Sequence, residues 1–254
     1  MLIGKKEFDL ENNCYIMGIL NFTPDSFSDG GKFNDIDSAL IHVEKMIDDG
    51  MDIVDIGGES TRPNYTKISD DEEIARIVPI IEAVKQRFDI PVSLDTYKYK
   101  VADAGIKAGA DLINDIWGLK YDDGKMAELI AENSLPCCLM HNRKNQVYNC
   151  FIDDIVNDMK KTIDIALKAG IEKSNIILDV GVGFAKSYEN NIEAINCIDE
   201  FRTRLGCPVL LGTSRKSVIG ITLDLPSDQR TEGTIAPSVV GVMNGVSKVR
   251  VNDG

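Results

Sequence analysis

Short apolar runs alternate with longer amphipathic segments along the whole chain. Each run is rich in β-branched residues and is too short for a helix, which is typical of strands buried on both faces of a parallel sheet. The runs cover residues 14–20, 51–56, 91–94, 111–113, 136–140, 175–178, 208–211 and 247–251. The pattern therefore predicts eight parallel strands.

Most intervals between these runs have helical periodicity, with apolar residues three or four positions apart on one face. The clearest faces are formed by Leu40, Val43, Met46 and Ile47, by Ile74, Ile77, Val78, Ile81 and Val84, by Ile152, Ile155, Val156, Met159 and Ile163, and by Ile192, Ile195 and Ile198. Ser69 and Glu72 form a capping box before the second helix. Glycines follow several of the predicted helices, at Gly50, Gly109, Gly170 and Gly206, where C-terminal caps are expected.

Eight strands alternating with helices in about 250 residues predict a (β/α)8 TIM barrel, as a single domain over residues 1–254. A doubly wound dinucleotide-binding sheet would carry Gly-x-Gly-x-x-Gly after its first strand, and the sequence has no such motif there. Residues 1–13 are predicted to form a short hairpin across the bottom of the barrel.

The composition narrows the class of protein. A net charge of −13 argues against binding to nucleic acid or to an anionic membrane surface. No apolar run is long enough to span a membrane, and the first residues lack a signal-peptide core, so a cytoplasmic location is expected. The six cysteines form no Cys-x-x-Cys pair, which favours buried thiols, and two histidines are too few for a three-histidine zinc site.

Polar residues occur where the predicted strands end, which in a barrel is the end that carries the active site. In chain order these residues are Asn21, Asp55, Asp95, Asn114, His141, Asp179, Ser214 to Ser217, Arg250 and Asn252. The polar stretch 21–31 after the first strand has the length and composition of a lid or binding loop. The site is therefore predicted at the carboxyl end of the barrel.

The types of these residues indicate the ligand. Asp95, Asn114 and Asp179 suit a flat heterocycle with an amidine-like edge, because a carboxylate accepts two parallel N–H bonds. Basic residues also follow strand ends in an otherwise acidic chain, at Arg62, Lys186, Arg215, Lys216 and Arg250. Part of the ligand is therefore expected to be anionic.

Nine segments resemble the sequence blocks of dihydropteroate synthases, in that family's order. They are MGILNFTPDSFSDGG, DIGGESTRP, SLDTYKYKVA, INDI, LMHN, LDVGVGF, LLGTSRKS, RTEGT and VRVND. Single blocks such as INDI carry little information, but the ordered set covers nearly the whole chain. The resemblance implies an enzyme that condenses 6-hydroxymethyl-7,8-dihydropterin diphosphate with 4-aminobenzoate, giving 7,8-dihydropteroate and pyrophosphate.

The resemblance also implies a role for each matching residue. Pterin binding falls to Asp95, Asn114, Asp179 and Lys216, and the aminobenzoate slot to Phe27, Pro63, Phe184, Lys216 and Ser217. Pyrophosphate binding falls to Thr61, Arg62, Arg250 and Asn252, and Asn21 is associated with Mg²⁺. Of these residues, Asp95, Lys216 and Arg250 are implied to be catalytic, whereas His141 is expected to be a structural or polar wall residue.

Three features depart from the family pattern. Asn252 stands where the family usually has histidine, and Val180 stands where it usually has proline. The family continues into a final helix after the last strand, whereas the sequence ends at Gly254, so that helix is expected to be missing. A homodimer through the late helices is a further, weaker implication.

Two other functions remain open from the sequence. Pterin-binding methyltransferases share the pterin carboxylates and the barrel, but lack the 214–217 turn. A non-catalytic pterin-binding protein would be compatible with Asn252 and the missing helix, although the loop residues Asn21, Asp25, Thr61 and Arg62 argue for catalysis.

Overall fold

The computed structural model of the protein describes residues 1–22, 32–60 and 67–252. A short antiparallel pair opens the chain, formed by β1 (Leu2–Ile3) and β2 (Lys6–Glu7). The eight strands that follow are β3 (Tyr15–Asn21), β4 (Ile53–Gly57), β5 (Val92–Asp95), β6 (Leu112–Asp115), β7 (Cys137–Met140), β8 (Ile176–Asp179), β9 (Val209–Leu211) and β10 (Lys248–Val251). They are parallel, and they close into a barrel because β10 pairs with both β9 and β3.

Helices connect the strands along the outside of this barrel. They are α1 (Lys32–Asp48), α2 (Asp70–Arg87), α3 (Tyr99–Ala108), α4 (Lys125–Glu132), α5 (Phe151–Ala169), α6 (Tyr188–Asn196), α7 (Ile198–Leu205), α8 (Ser217–Leu223) and α9 (Thr231–Met243). The predicted TIM barrel is confirmed, and the predicted start of each strand is within two residues of the observed start. Half of the predicted capping box is observed: Ser69 Oγ accepts from the Glu72 amide at 3.2 Å, whereas the Glu72 carboxylate accepts from Arg76. Gly109, Gly170 and Gly206 end their helices in left-handed conformations.

Both faces of the strands are buried, which explains why their sequences are continuous apolar runs. On the outer face, residues such as Val54, Leu94 and Ile113 pack with the apolar faces of the helices in one large core cluster. None of the described helices combines the length and hydrophobicity needed to cross a membrane.

The predicted N-terminal hairpin covers the amino end of the barrel. Ile3, Phe8 and Leu10 form a second core cluster with interior residues of the strands, namely Met17, Ile53, Leu112, Cys138, Ile177 and Leu210. Ser247 Oγ fixes the end of this segment by donating to Leu10 O at 2.7 Å. This packing covers the amino end of the barrel interior, so the carboxyl end of the strands is where a ligand site is sought.

One charged residue is buried at the covered end. Lys248 is fully buried, its Nζ has no hydrogen-bond partner among the described residues, and the Phe8 ring centroid lies 5.2 Å from it. Burial lowers the pKa of Lys248 to about 8, because the charged form loses its hydration. The cation–π contact with Phe8 offsets part of that loss.

Replacing this lysine with an apolar residue should change the pH dependence of stability. The pKa of Lys248 is lower in the folded protein than its ordinary value of 10.5, so the unfolded chain binds more protons between about pH 8 and that value. The free energy of unfolding should therefore rise with pH across this window in the wild type. Lys248→Met should be more stable near neutral pH by roughly 2–3 kcal/mol, and the gap should close toward the upper end of the window.

Urea denaturation of both proteins across that pH range measures the gap. Lys107→Met, at an exposed lysine on α3, is the control for loss of a charge. A gap that does not change with pH would contradict the account of Lys248.

Candidate active site

Arg250 joins two acidic side chains at the open end of the barrel. Its Nε donates to Asp55 Oδ2 and its Nη2 to Asp95 Oδ2, both at 2.6 Å. The three residues come from β10, β4 and β5, and both carboxylates are buried. A guanidinium has five N–H groups, so the two bonds leave three of them for other acceptors.

Asp55 is the centre of this arrangement, a role that the sequence reasoning did not assign. It accepts from Ser93 Oγ at 2.5 Å and from Asn114 Nδ2 at 3.2 Å, in addition to Arg250. The signal in the sequence was a carboxylate inside an otherwise apolar run, Ile53 to Gly57, because a buried carboxylate requires partners from neighbouring strands.

Asp95 combines an ion pair with an open position. Burial raises its pKa to about 7; the charge of Arg250 opposes the rise, and the charge of Asp55 adds to it. Its Oδ2 is bound to Arg250, whereas its Oδ1 is buried without a hydrogen-bond partner among the described residues. A buried acceptor that lacks a partner is costly, so Oδ1 is suited to accept a hydrogen bond from a ligand.

Asp179 ends β8 on the other side of the opening. Its Oδ1 accepts from the Gly181 amide at 2.7 Å, which fixes the carboxylate at the strand end. A β-carbon on Gly212 would lie 3.9 Å from Asp179 Oδ2, 3.7 Å from Lys216 Nζ and 3.8 Å from Arg250 Cβ. The absent side chain of Gly212 thus leaves a space onto which three predicted site residues converge.

Lys216 approaches this space from the start of α8. Its Nζ donates to Val182 O at 2.5 Å and lies 5.0 Å from the centroid of the Phe184 ring. Burial lowers the pKa of Lys216 to about 8, while Asp179 favours its charged form. Ser217 is exposed at the first position of α8.

The turn that carries Lys216 is held in a strained conformation. Arg215 has a φ of 54°, which few residues other than glycine adopt. Thr234 Oγ1 accepts from the Arg215 amide at 3.1 Å, and Arg230 Nη1 donates to Arg215 O at 3.0 Å. Residues of the RTEGT segment therefore fix this turn, although no role was predicted for them.

Two other predicted residues lie at strand ends beside the opening. Asn21 is exposed at the end of β3, with its Oδ1 3.7 Å from the position of a β-carbon on Gly57. Asn252 follows β10, and its Nδ2 donates to Ser214 O at 3.3 Å and to Ser214 Oγ at 3.2 Å. Asn252 therefore ties the end of β10 to the turn after β9.

Lys186 differs from the expectation that it faces an anionic ligand. Its ammonium is buried and contacts Gly181 O and Phe184 O at 3.0 Å and His141 Nδ1 at 3.1 Å. A lysine has three N–H donors, and these three acceptors take all of them. The expectation for Lys186 was wrong because the chain turns its side chain back into its own loop.

Four predicted site residues, Phe27, Thr61, Arg62 and Pro63, lie outside the described residues. The other predicted residues converge on the carboxyl end of the barrel: Asn21, Asp95, Asn114, Asp179, Phe184, Lys216, Ser217, Arg250 and Asn252. No group of three or more histidine, cysteine, aspartate or glutamate side chains in the described ranges is arranged to hold a metal ion.

Comparison with known proteins identifies the class. The family described as "Pterin binding enzyme" matches residues 17–252. The chain is 59% identical to the dihydropteroate synthase of Clostridium beijerinckii, over all of this chain and 94% of that protein. The chain therefore belongs to the family of pterin-binding enzymes, and within it to the dihydropteroate synthases.

Solved structures give the same assignment. The dihydropteroate synthase of Clostridium difficile, determined in the presence of pteroic acid, superposes with a TM-score of 0.94 at 48% identity, over 97% of this chain and 94% of that one. The Xanthomonas albilineans enzyme with 4-aminobenzoic acid gives a TM-score of 0.90 at 36% identity, over 95% of this chain and 88% of that one.

The raised pKa of Asp95 generates a stability prediction. Between its ordinary value of 3.8 and about 7, the folded protein holds a proton that the unfolded chain has released. The free energy of unfolding should therefore fall as the pH rises through this window. Asp95→Asn cannot titrate, so its stability relative to the wild type should increase by at least roughly 1 kcal/mol across the window.

The measurement is urea denaturation of both proteins at several pH values across the window. Asp89→Asn, an exposed carboxylate just before β5, controls for the general effect of one lost charge. A difference between Asp95→Asn and the wild type that is constant with pH would show that Asp95 does not titrate in this way.

Proposed function

We propose that this protein condenses 6-hydroxymethyl-7,8-dihydropterin diphosphate with 4-aminobenzoate, releasing pyrophosphate and forming 7,8-dihydropteroate. The observation that carries the proposal is the Arg250 bridge between Asp55 and Asp95, which sets a cation beside a buried carboxylate oxygen, Asp95 Oδ1, that has no hydrogen-bond partner in the described part of the chain. The relatives support it, because solved ones contain pteroic acid and 4-aminobenzoic acid.

The ring of the pterin would be held by Asp95, Asn114, Asp179 and Lys216. Within the described ranges Asp95 Oδ1 has no hydrogen-bond partner, and Asp179 Oδ2 lies beside the space left by Gly212. Carboxylate oxygens accept hydrogen bonds from ring N–H and exocyclic amine groups, and Lys216 can donate to a ring carbonyl. This end of the site therefore matches the donor and acceptor pattern of a reduced pterin.

The diphosphate would be held at the Arg250 end of the site, with Asn252, Thr61 and Arg62 as the other candidates. Arg250 keeps three N–H groups for phosphate oxygens while it remains bound to Asp55 and Asp95. Its side chain is 19% exposed, so it can reach a ligand at the mouth. Asn252 would have to exchange a bond to Ser214 for one to phosphate.

Mg²⁺ is the cofactor of this proposal, with Asn21 as its protein ligand. Magnesium takes oxygen ligands, retains several waters and commonly shares substrate phosphates with only one or two protein groups. Asn21 fits that requirement, because it is exposed at the end of β3 with its amide oxygen close to Gly57, whose lack of a side chain leaves room. When bound, the ion would neutralise charge on the departing pyrophosphate.

4-Aminobenzoate would occupy a slot beside the pterin, formed by Phe27, Pro63, Phe184, Lys216 and Ser217. Phe184 is half-buried and lies under the Lys216 ammonium, so it offers an aromatic wall next to a cation. No side chain of the described residues caps the start of α8 at Ser217, and the first backbone N–H groups of a helix suit a carboxylate.

The proposed reaction requires little general acid–base catalysis by the protein. Electron release from the dihydropterin supports positive charge at the methylene as its C–O bond breaks, and the neutral arylamine then attacks that carbon. Arg250 stabilises the negative charge that develops on the leaving group. Asp95 and Asp179 hold the ring in place, and burial of the site limits competing attack by water.

Two further parts of the proposal concern the state of the protein in the cell. A homodimer is supported by an apolar surface on α8 and α9, where Ile221, Leu223, Ile235, Val239, Val242 and Met243 are exposed. A surface of this kind marks an interaction site.

A cytoplasmic location is supported by the six cysteines, which are all free thiols.

Turnover is the test of the proposed reaction. We expect pyrophosphate release from the pterin diphosphate only when 4-aminobenzoate and Mg²⁺ are both present, with formation of 7,8-dihydropteroate. A pterin-binding methyltransferase or a non-catalytic pterin-binding protein would release no pyrophosphate. Binding of the pterin without arylamine-dependent release would therefore refute the proposal.

Asp179→Asn should weaken pterin binding without disturbing the fold. The amide oxygen can still accept from the Gly181 amide, but the amide then presents N–H groups where the ligand requires an acceptor. The mismatch should cost roughly 2–4 kcal/mol of binding free energy. Calorimetric titration with a pterin measures it, with Asp164→Asn on the outer face of α5 as the matched control. Near-normal affinity in Asp179→Asn would remove Asp179 from the site.

A further inference from the structure

Lys186 lies in the loop between β8 and α6, directly beside the proposed substrate site. Lys186 is 6% exposed, and its ammonium donates to Gly181 O and Phe184 O, both at 3.0 Å. The third acceptor is His141 Nδ1 at 3.1 Å. Since all three donors are used within the protein, Lys186 holds backbone rather than ligand.

His141 connects Lys186 to α5 on the outside of the barrel. In its charged form Lys186 can only donate, so Nδ1 of His141 then accepts and Nε2 carries the ring proton. Nε2 lies 3.4 Å from Asp158 Oδ2, and Arg143 Nε binds the same oxygen at 2.6 Å. Burial and the nearby charge of Lys186 lower the pKa of His141 to about 3, in agreement with a neutral ring. Lys186 is therefore anchored to α5 through a fixed tautomer.

The loop that Lys186 holds has an unusual backbone. Gly181, Gly183 and Ala185 have φ values of 69°, 85° and 47°, all in the left-handed region. A β-carbon on Gly181 would lie 2.1 Å from His141 O, so the loop passes very close to the end of β7. Such a conformation persists only where its surroundings fix it. The two carbonyls bound by Lys186 lie at the start and near the end of this strained stretch.

The same loop presents three groups to the proposed site. The Gly181 amide binds Asp179 Oδ1, Val182 O accepts from Lys216 Nζ, and the Phe184 ring lies 5.0 Å from that Nζ. The two carbonyls that Lys186 binds thus belong to Gly181 and Phe184, which carry two of these groups, and Gly181 directly precedes Val182, which carries the third. Displacement of the loop would move Phe184. Lys216 would stay at the start of α8, and Asp95, Asn114 and Asp179 would stay on their strands.

We propose that Lys186 is a positioning residue, which fixes the 181–185 loop so that Phe184 forms the wall of the arylamine slot beside the pterin. The inference rests on the proposed function, because it assigns Phe184 to that slot. It predicts a division of effects, in which arylamine use depends on Lys186 and pterin binding depends mainly on the strand residues.

The test replaces Lys186 with methionine, which has similar length but no donors. We expect Lys186→Met to raise the KM for 4-aminobenzoate about tenfold and to lower kcat, since small displacements of a binding group have large effects on rate. The Kd of the pterin should change by less than about threefold. Lys85→Met is the control, because Lys85 pairs with Asp111 at the opposite end of the barrel.

A spectroscopic signal reports on the loop independently of turnover. Trp117 is the only tryptophan of the chain, and it packs with Phe184 against the same small cluster of Tyr97, Ile116 and Met140. Lys186→Met should therefore shift the emission of Trp117, whereas Lys85→Met should not. Should Lys186→Met fail to fold, His141→Phe removes the third acceptor together with the Asp158 contact and leaves the two carbonyl acceptors in place, so it is expected to show the same pattern with smaller effects.

The outcomes separate this inference from the proposed function. A folded Lys186→Met with unchanged KM for the arylamine and unchanged emission would overturn the positioning role. Equal losses for pterin and arylamine would also overturn it, because they would indicate a general structural role. If the wild type shows no turnover, the proposed function fails, and the Trp117 emission alone then decides whether Lys186 fixes the loop.

Discussion

Two buried carboxylates share one guanidinium at the open end of this barrel, and the site depends on that contact. Asp55 and Asp95 are separated from Arg250 by 195 and 155 residues in sequence. They meet because β10 pairs with β3 and so brings the end of the chain beside its beginning. Charges removed from water are costly unless they are paired and hydrogen-bonded. Arg250 therefore reaches Asp55 and Asp95 only when the barrel is closed.

The groups that would bind substrate are maintained at a cost to stability. Asp95 Oδ1 has no partner among the described residues, and burial raises the pKa of Asp95 while it lowers the pKa of Lys216. A ligand that supplies donors to the carboxylates would restore the hydrogen bonds that burial removes. The same arrangement would thus favour binding of a polar heterocycle and disfavour the empty site.

Much of the fold could be predicted from the sequence, because strand and helix signals are local. Runs of β-branched residues gave all eight strands, and their polar ends gave most of the candidate site. The direction of Lys186 could not be predicted, since it depends on a loop with three left-handed residues and on an acceptor from β7. The bond from Asn252 to Ser214 likewise depends on closure of the barrel. The predicted residues Phe27, Thr61, Arg62 and Pro63 lie outside the described ranges, so their roles stay predictions.

Arg250 lies between the proposed positions of the pterin ring and the diphosphate. The most direct measurement tests what its planar set of N–H groups binds. Arg250→Lys keeps a positive charge but has one nitrogen where arginine uses Nε for Asp55 and Nη2 for Asp95, and it lacks the three further N–H groups that arginine keeps for phosphate. Calorimetry should compare the affinities of wild type and Arg250→Lys for the pterin diphosphate and for 6-hydroxymethyl-dihydropterin. The account predicts a much larger loss of affinity for the diphosphate than for the free pterin. Equal losses for the two ligands would contradict it, because Arg250 would then serve the ring rather than the leaving group.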